Sequence, residues 1–206
     1  EPIDPVRFIG NRSTGKMGVA LTKAALARGA SVHLLHGPLK TDIPRHPNLT
    51  LHDVMTASEM FQAATTLYPK CQGGILTAAV SDFKPTSFIE QKIKSKDQFT
   101  QLSLEKTQDI AAHLGREKND AQWLIGFALE TQNSESNAAE KRKKKNFDFI
   151  VLNKTSKQDS PFGADDNKVW IIRPEADPLS LPKANKLDVA HDILDQVVPI
   201  ITTMKN

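Results

Sequence analysis

Cysteine is nearly absent from this sequence: Cys71 is the single one in 206 residues. One thiol can neither close an internal disulfide nor build a thiolate metal cage, and this composition fits a reducing cytoplasm. Aromatic side chains are scarce at 6%, so leucine, isoleucine, valine and alanine must fill the core. Long apolar runs are missing too. The longest, Gly73 to Val80, falls far short of the roughly 20 residues a membrane span needs, and no signal-peptide pattern opens the chain. The sequence also lacks an excess of one charge. Its 27 Lys and Arg face 24 Asp and Glu, a net +3, which argues against a nucleic-acid binder and suits a local basic pocket. The six histidines show no metal-ligand spacing. There is no G-x-S-x-G elbow for a Ser-His-Asp hydrolase. A dinucleotide-binding G-x-G-x-x-G is absent as well, which disfavours a Rossmann-type NAD(P) oxidoreductase. Finally, no methionine begins the chain, and Glu1-Pro2-Ile3-Asp4-Pro5 reads as a cut.

What is present alternates between two periods. Thr14 to Arg28 predicts a helix stopped by Gly29, and Ser31 to His36 a strand. Leu49 to Val54 predicts another strand. Thr56-Ala57-Ser58-Glu59 spells a capping box for a helix to about Tyr68. Gly73 to Val80 has no polar alternation, which predicts a strand covered on both faces of a parallel sheet. Ser81 to Lys96 predicts a long polar lid loop, followed by a strand at Phe99 to Leu104. Thr107 is placed to cap a helix reaching Glu117. Trp123 to Leu129, Phe147 to Leu152 and Val169 to Ile172 read as strands, and Ser134 to Lys145 as a charged helix. Pro161 to Asn167 reads as a turn-rich loop. Leu187 to about Ile201 predicts a last helix, kinked or ended near Pro199. The β-α-β-α order predicts one α/β domain over 1–206, Rossmann-like, doubly wound and mostly parallel, with a lysine-bearing lid. Ligands then belong at the carboxyl ends of the strands.

Several segments carry chemistry. Gly10-Asn11-Arg12-Ser13-Thr14-Gly15-Lys16-Met17 opens like a P-loop, but Met17 stands where magnesium needs a hydroxyl. A glycine-rich turn before a helix can still hold an anion, and the alternative is an ordinary turn with Ser13 or Thr14 as the cap. Asp82 and Glu130 each follow an apolar strand, although an aspartate there can equally bond its own backbone. Lys92, Lys94 and Lys96 alternate along the lid, a pattern shared by solvated faces. Lys141 and Lys145 lie four apart on a helix and can grip two phosphates of one ligand. Solvent exposure and nucleic-acid contact are the alternatives for that run. Glu135, Glu140 and the lack of nearby stacking aromatics weigh against nucleic acid. Phe127 is core by default.

Taken in order, Glu1 to Ile9, the Asn11 to Gly18 loop, Ala78-Ala79-Val80-Ser81-Asp82-Phe83, Lys92-Ile93-Lys94, Gly126-Phe127-Ala128-x-Glu130-Thr131, Lys145-Asn146-x-Asp148 and Phe162-Gly163-x-Asp165-x-Asn167 resemble the phosphopantothenoylcysteine synthetase family. These are the phosphopantothenate-cysteine ligases of coenzyme A biosynthesis, and the resemblance covers nearly the whole chain. It implies a bacterial-type reaction with CTP and Mg2+, in which 4'-phosphopantothenate forms an acyl-cytidylate that cysteine then attacks. It implies catalytic roles for Asn11 and Lys92 and substrate contacts from Arg7, Asn11 and Ala78. It implies nucleotide contacts from Asp82, Lys92, Gln108, Asp109, Ile110, Ala111, Phe127, Lys141 and Lys145. Thr107-Gln108 departs from the family's usual Asn-Pro, which puts that contact in doubt. A homodimer, with no nucleic-acid or membrane partner, is implied too. The family's first strand and Gly-Gly-Thr turn, expected just before Glu1, are missing from these 206 residues. A non-enzymatic nucleotide or nucleic-acid binding module is the competing reading.

Overall fold

In the middle strands successive apolar residues fall on opposite sides, as the twofold period of a strand requires. Leu124 and Ile125, Ile150 and Val151, and Ile171 and Ile172 are all buried, one of each pair in each of two hydrophobic clusters. A sheet with two apolar faces must be covered on both, and helices do this here. The computed structural model describes residues 1–94, 101–154 and 165–204. In chain order these form α1 (Lys16–Ala27), β1 (Val32–His36), β2 (Leu49–Asp53), α2 (Ala57–Leu67), β3 (Gly73–Leu76), β4 (Phe83–Pro85), β5 (Leu104–Lys106), α3 (Ile110–Glu117), β6 (Trp123–Glu130), α4 (Ser134–Lys144), β7 (Phe149–Lys154), β8 (Asp166–Asn167), β9 (Val169–Ile172), β10 (Leu179–Ser180), β11 (Ala184–Asn185) and α5 (Lys186–Met204).

The central sheet has the order β10-β9-β7-β6-β3. Strands β3, β6 and β7 run parallel, while β9 and β10 join antiparallel at one edge. Helices α1 and α5 cover one face through Ala20, Leu21, Ala24, Val189, Ile193 and Val197. The other face takes Ala64 and Tyr68 at the end of α2, Ile110 and Leu114 of α3, and Ala138 of α4. Each fully buried aliphatic side chain stabilises the fold by about 1.5–3 kcal/mol. The expected doubly wound, mostly parallel α/β architecture is therefore present. Strands β1 and β2 pair parallel with each other as a separate two-stranded sheet. No ladder joins β1 to β3 among the described residues.

Several local expectations need correction. The strand expected over Gly73–Val80 stops at Leu76, and its residues are only half-buried, because β3 lies at the sheet edge instead of between two strands. The loop expected from Ser81 contains β4, which pairs antiparallel with β5. Of the strand expected over Phe99–Leu104, only Leu104 lies in β5, and Phe99 falls outside the described residues. The cap of α3 is Asp109, whose carboxylate accepts the Ala112 N–H, and not Thr107. Thr107 instead donates from Oγ1 to the Ser81 carbonyl at 2.6 Å. Neither Ser13 nor Thr14 caps α1, whose N-cap is Gly15 with no side-chain bond. Pro161–Ala164 lie outside the described residues, and Asp166–Asn167 pair with Ala184–Asn185 as β8 and β11. Pro199 does not end α5, which runs on to Met204. The capping box of α2 holds in altered form: Thr56 accepts the Glu59 N–H, while Glu59 reaches back to the Met55 N–H instead of that of Thr56. Among the described residues no helix is long and apolar enough to cross a membrane.

Candidate active site at the strand ends

Strand β6 outruns β3, since their register ends at Leu76 with Gly126. Past that point the Phe127 carbonyl accepts a hydrogen bond from Lys141 Nζ at 3.1 Å. The lysine reaches inward from α4 and is half-buried. Burial pushes its ammonium below the ordinary lysine value and Lys145 adds to the effect, while Glu130, Asp82 and Asp109 oppose it. A partly dehydrated cation that three carboxylates only partly balance is a favourable place for phosphate oxygens. Lys145, one helical turn on, donates to Asp109 Oδ1 at 3.1 Å. Burial would raise the Asp109 carboxyl, but the Ala112 N–H and Lys145 outweigh it and hold the group below its ordinary value. The expected common face of Lys141 and Lys145 is thus bound at two different points, one on β6 and one on the cap of α3.

Asp82 is exposed and sits where the segment after β3 enters β4. Its carbonyl accepts the Thr107 N–H at 3.0 Å, so Asp82 and Gln108 are brought close through Thr107. Gln108 is exposed at the start of α3, whereas Ile110 is buried in the core and Ala111 packs against it. Ile110 can therefore meet a ligand only through its main chain, while Ala111 is half-buried. Phe127 packs partly against the core cluster under α1 and α5.

The glycine loop approaches the same strand end. Asn11 Nδ2 donates to the carbonyls of Ala79 and Val80 at 2.9 and 3.2 Å, next to exposed Ala78. Gly15 closes the loop with φ +77°, and a Cβ there would lie 2.2 Å from Leu39 Cδ2. Glycine takes this φ without strain and leaves the Leu39 side chain its place. Lys16 binds Asp165 at 2.6 Å.

Arg7 is exposed. Its guanidinium pairs with buried Asp4 and donates to the carbonyl of Ile93. Lys92, next to Ile93, is exposed. Among the described residues no hydrogen bond or ion pair joins it to Phe127 or Asp109, so two groupings result: Asp82, Asp109, Phe127, Lys141 and Lys145 at the strand ends, reached by Asn11, and Arg7 with Lys92 through Ile93. By residue type and spacing alone, Asp4 and Thr107 carry no site role. Asp4 had a local signal, since Asp-Pro favours turn initiation; the partners of Thr107 are over 20 residues away and leave no such trace.

A cleft of about 380 Å³ lies beyond β1 and β2 among His36, Leu39, Asp53, Val54 and Met55. It contains none of the expected residues, and the polar contacts above mark the site better than this open volume. No group of three or more His, Cys, Asp or Glu among the described residues is arranged to hold a metal ion. A magnesium ion arriving on nucleotide phosphates needs only one or two carboxylates, and exposed Asp82 fits that role.

Fold and site together define a doubly wound α/β protein with lysines gathered at the strand ends. More particularly, the chain belongs to the DNA/pantothenate metabolism flavoprotein C-terminal domain family, whose sequence profile matches residues 1–200. It is 41% identical over 200 residues to the coenzyme A biosynthesis bifunctional protein CoaBC of Bacillus subtilis (strain 168), covering 97% of this chain and 49% of that protein. It is also 41% identical over 201 residues to a cysteine/cysteine sulfinic acid decarboxylase of an unknown prokaryotic organism, covering 98% of this chain and 56% of that protein. The crystal structure of the C-terminal domain of a CoaBC protein superposes with a TM-score of 0.80 at 35% identity, covering 100% of this chain and 91% of that one. The chain spans about half the length of the curated relatives it matches.

Proposed function

We propose that this chain is a phosphopantothenate-cysteine ligase that uses CTP. The observation that carries the reading is the lysine pair at the strand ends, Lys141 on the Phe127 carbonyl and Lys145 on Asp109, in a chain of this family. A carboxylate is a poor acyl donor until its oxygen becomes part of a good leaving group. In the proposed first step the carboxylate of 4'-phosphopantothenate attacks the α-phosphorus of CTP, and pyrophosphate departs. In the second, the cysteine amine attacks the acyl carbon, loses a proton, and CMP departs.

Lys141 and Lys145 would neutralise the triphosphate, and Lys92 would approach from the exposed segment before Lys94. Asp82 would hold a magnesium ion brought by the nucleotide, which would supply further charge neutralisation. Gln108 and the main chain of Ile110 and Ala111 would border the nucleotide, and Phe127 its base or ribose. Asn11 and Ala78 would flank the reacting carboxylate. Asn11 turns its Nδ2 to Ala79 and Val80, so its amide must rotate before it can donate to substrate.

The decarboxylase name belongs to a relative of which just over half matches, and no observation at this site favours decarboxylation. A homodimer fits the exposed face of the β4–β5 ribbon, where Phe83 and Leu104 are each 47% exposed. A cytoplasmic location fits the single cysteine.

The test is direct. Intact protein with magnesium, 4'-phosphopantothenate, cysteine and either CTP or ATP should release pyrophosphate, faster with CTP. No pyrophosphate with either nucleotide rejects the ligase.

A further inference from the structure

Asp4 is fully buried as a side chain, and four donors satisfy it. Oδ1 accepts the N–H groups of Val6 and Arg7 at 2.8 and 2.7 Å, which closes a turn. Oδ2 accepts the Arg7 guanidinium and, at 3.3 Å, the N–H of Ile93. Arg7 then donates from Nη1 and Nη2 to the Ile93 carbonyl, at 3.3 Å each. One ion pair in the first seven residues therefore grips both main-chain polar groups of a residue more than 80 positions away. A second lace lies four residues earlier, where Ile89 N–H donates to the Ile3 carbonyl at 2.9 Å. Ile93 stands between Lys92 and Lys94, both exposed.

We propose that Asp4 is a positioning residue: together with Arg7 it clamps the main chain at Ile93 and so fixes the place from which Lys92 works and water is kept out. The catalytic half of this inference rests on the ligase reading; the clamp does not. A buried carboxylate spent wholly on donors is costly to keep unless it holds something in place. An activated acyl-nucleotide gives a reason for such rigidity. Water attacking its acyl carbon returns phosphopantothenate and CMP after pyrophosphate has already left, so a loosened segment turns over nucleotide without making product.

Two substitutions approach the clamp from opposite sides. Asp4→Asn keeps the size but removes the charge that fixes Arg7. Ile93→Pro removes the N–H at the far end and leaves the turn at Val6 and Arg7 intact. In the intact protein both should speed trypsin cleavage after Lys94 by roughly fivefold or more, with cleavage outside Lys92–Lys94 unchanged; Ile93→Pro also blocks the cut after Lys92, because trypsin does not cleave before proline. In the ligation assay both should raise pyrophosphate released per product from one to about three or more. Unchanged cleavage after Lys94 in both variants overturns the clamp. Faster cleavage with an unchanged ratio overturns its part in the reaction. Uncoupling by Asp4→Asn alone shows that Asp4 serves only its own turn, and also overturns the proposal. If Asp4→Asn does not fold, Ile93→Pro decides alone. A parent protein that releases no pyrophosphate refutes the ligase reading, while the cleavage rates still decide the clamp.

Discussion

If the proposed function holds, Lys141 is a side chain that serves a site at the expense of the fold. Its ammonium is desolvated by burial, which lowers its proton affinity, and an unneeded buried charge tends to destabilise a protein. Lys141→Met should therefore leave the melting temperature unchanged or raise it, while nucleotide affinity drops tenfold or more, as expected when a charge-assisted contact of about 1.5–3 kcal/mol is lost. Calorimetric titration and a thermal melt on the same sample check both halves. Asn11 makes the opposite case. Its Nδ2 faces two carbonyl oxygens, so Asn11→Asp would set a carboxylate against them and beside an anionic substrate. Product formation should fall on the order of a hundredfold with the circular dichroism spectrum unchanged, and normal turnover would contradict the role. The spacing of Lys141 and Lys145 was legible because helical periodicity alone places them together. Their partners were not, because Phe127 and Asp109 reach them only through the tertiary fold.

At the scale of elements, the strongest constraint on the site lies where α3 meets the end of α4. A Cβ on Gly115 would fall 2.0 Å from the Lys145 carbonyl oxygen, and Asn146, at φ +52°, donates from Nδ2 to the Gly115 carbonyl at 2.8 Å. Backbone meets backbone there, so neither side can yield cheaply. Gly115→Ala should destabilise by about 1–3 kcal/mol and, by moving Lys145 away from Asp109, weaken nucleotide binding as well; urea unfolding and titration would report the two effects. The elements themselves were mostly legible. Apolar runs and the Thr56 cap place α1, α2, β6 and α5 nearly where they occur. The misreadings share one cause. Gly73 to Val80 is apolar but for Thr77, and composition cannot say that β3 stands at an edge. Thr107 is a good cap by type, but its hydroxyl is taken by Ser81 across the chain, and Asp109 caps in its place.

The molecule as a whole depends on a few carboxylates held in their charged form. For Asp4, burial alone would raise the carboxyl, but the N–H groups of Val6, Arg7 and Ile93 and the Arg7 side chain bring it from 3.8 down to about 2. A depressed carboxyl stabilises the fold above its unfolded value and loses that contribution as pH falls through its folded value. Melting temperature should therefore drop between about pH 4 and pH 2, and Asp4→Asn should flatten the curve in that window while starting lower near neutral pH. A series of thermal melts across that window tests the sign.

The gap between the β1–β2 pair and the five-stranded sheet has a further consequence, for the protection of backbone amides against deuterium. Strands β6 and β7 are flanked by ladders on both sides, so their amides should exchange only when the whole domain opens. The β1–β2 pair packs against α1 and α2, and among the described residues no ladder ties it to the rest. Its amides should then exchange through a smaller, cheaper opening, several orders of magnitude faster than those of β6. A ligand or strand that bridges the gap would slow exchange in β1 before anywhere else.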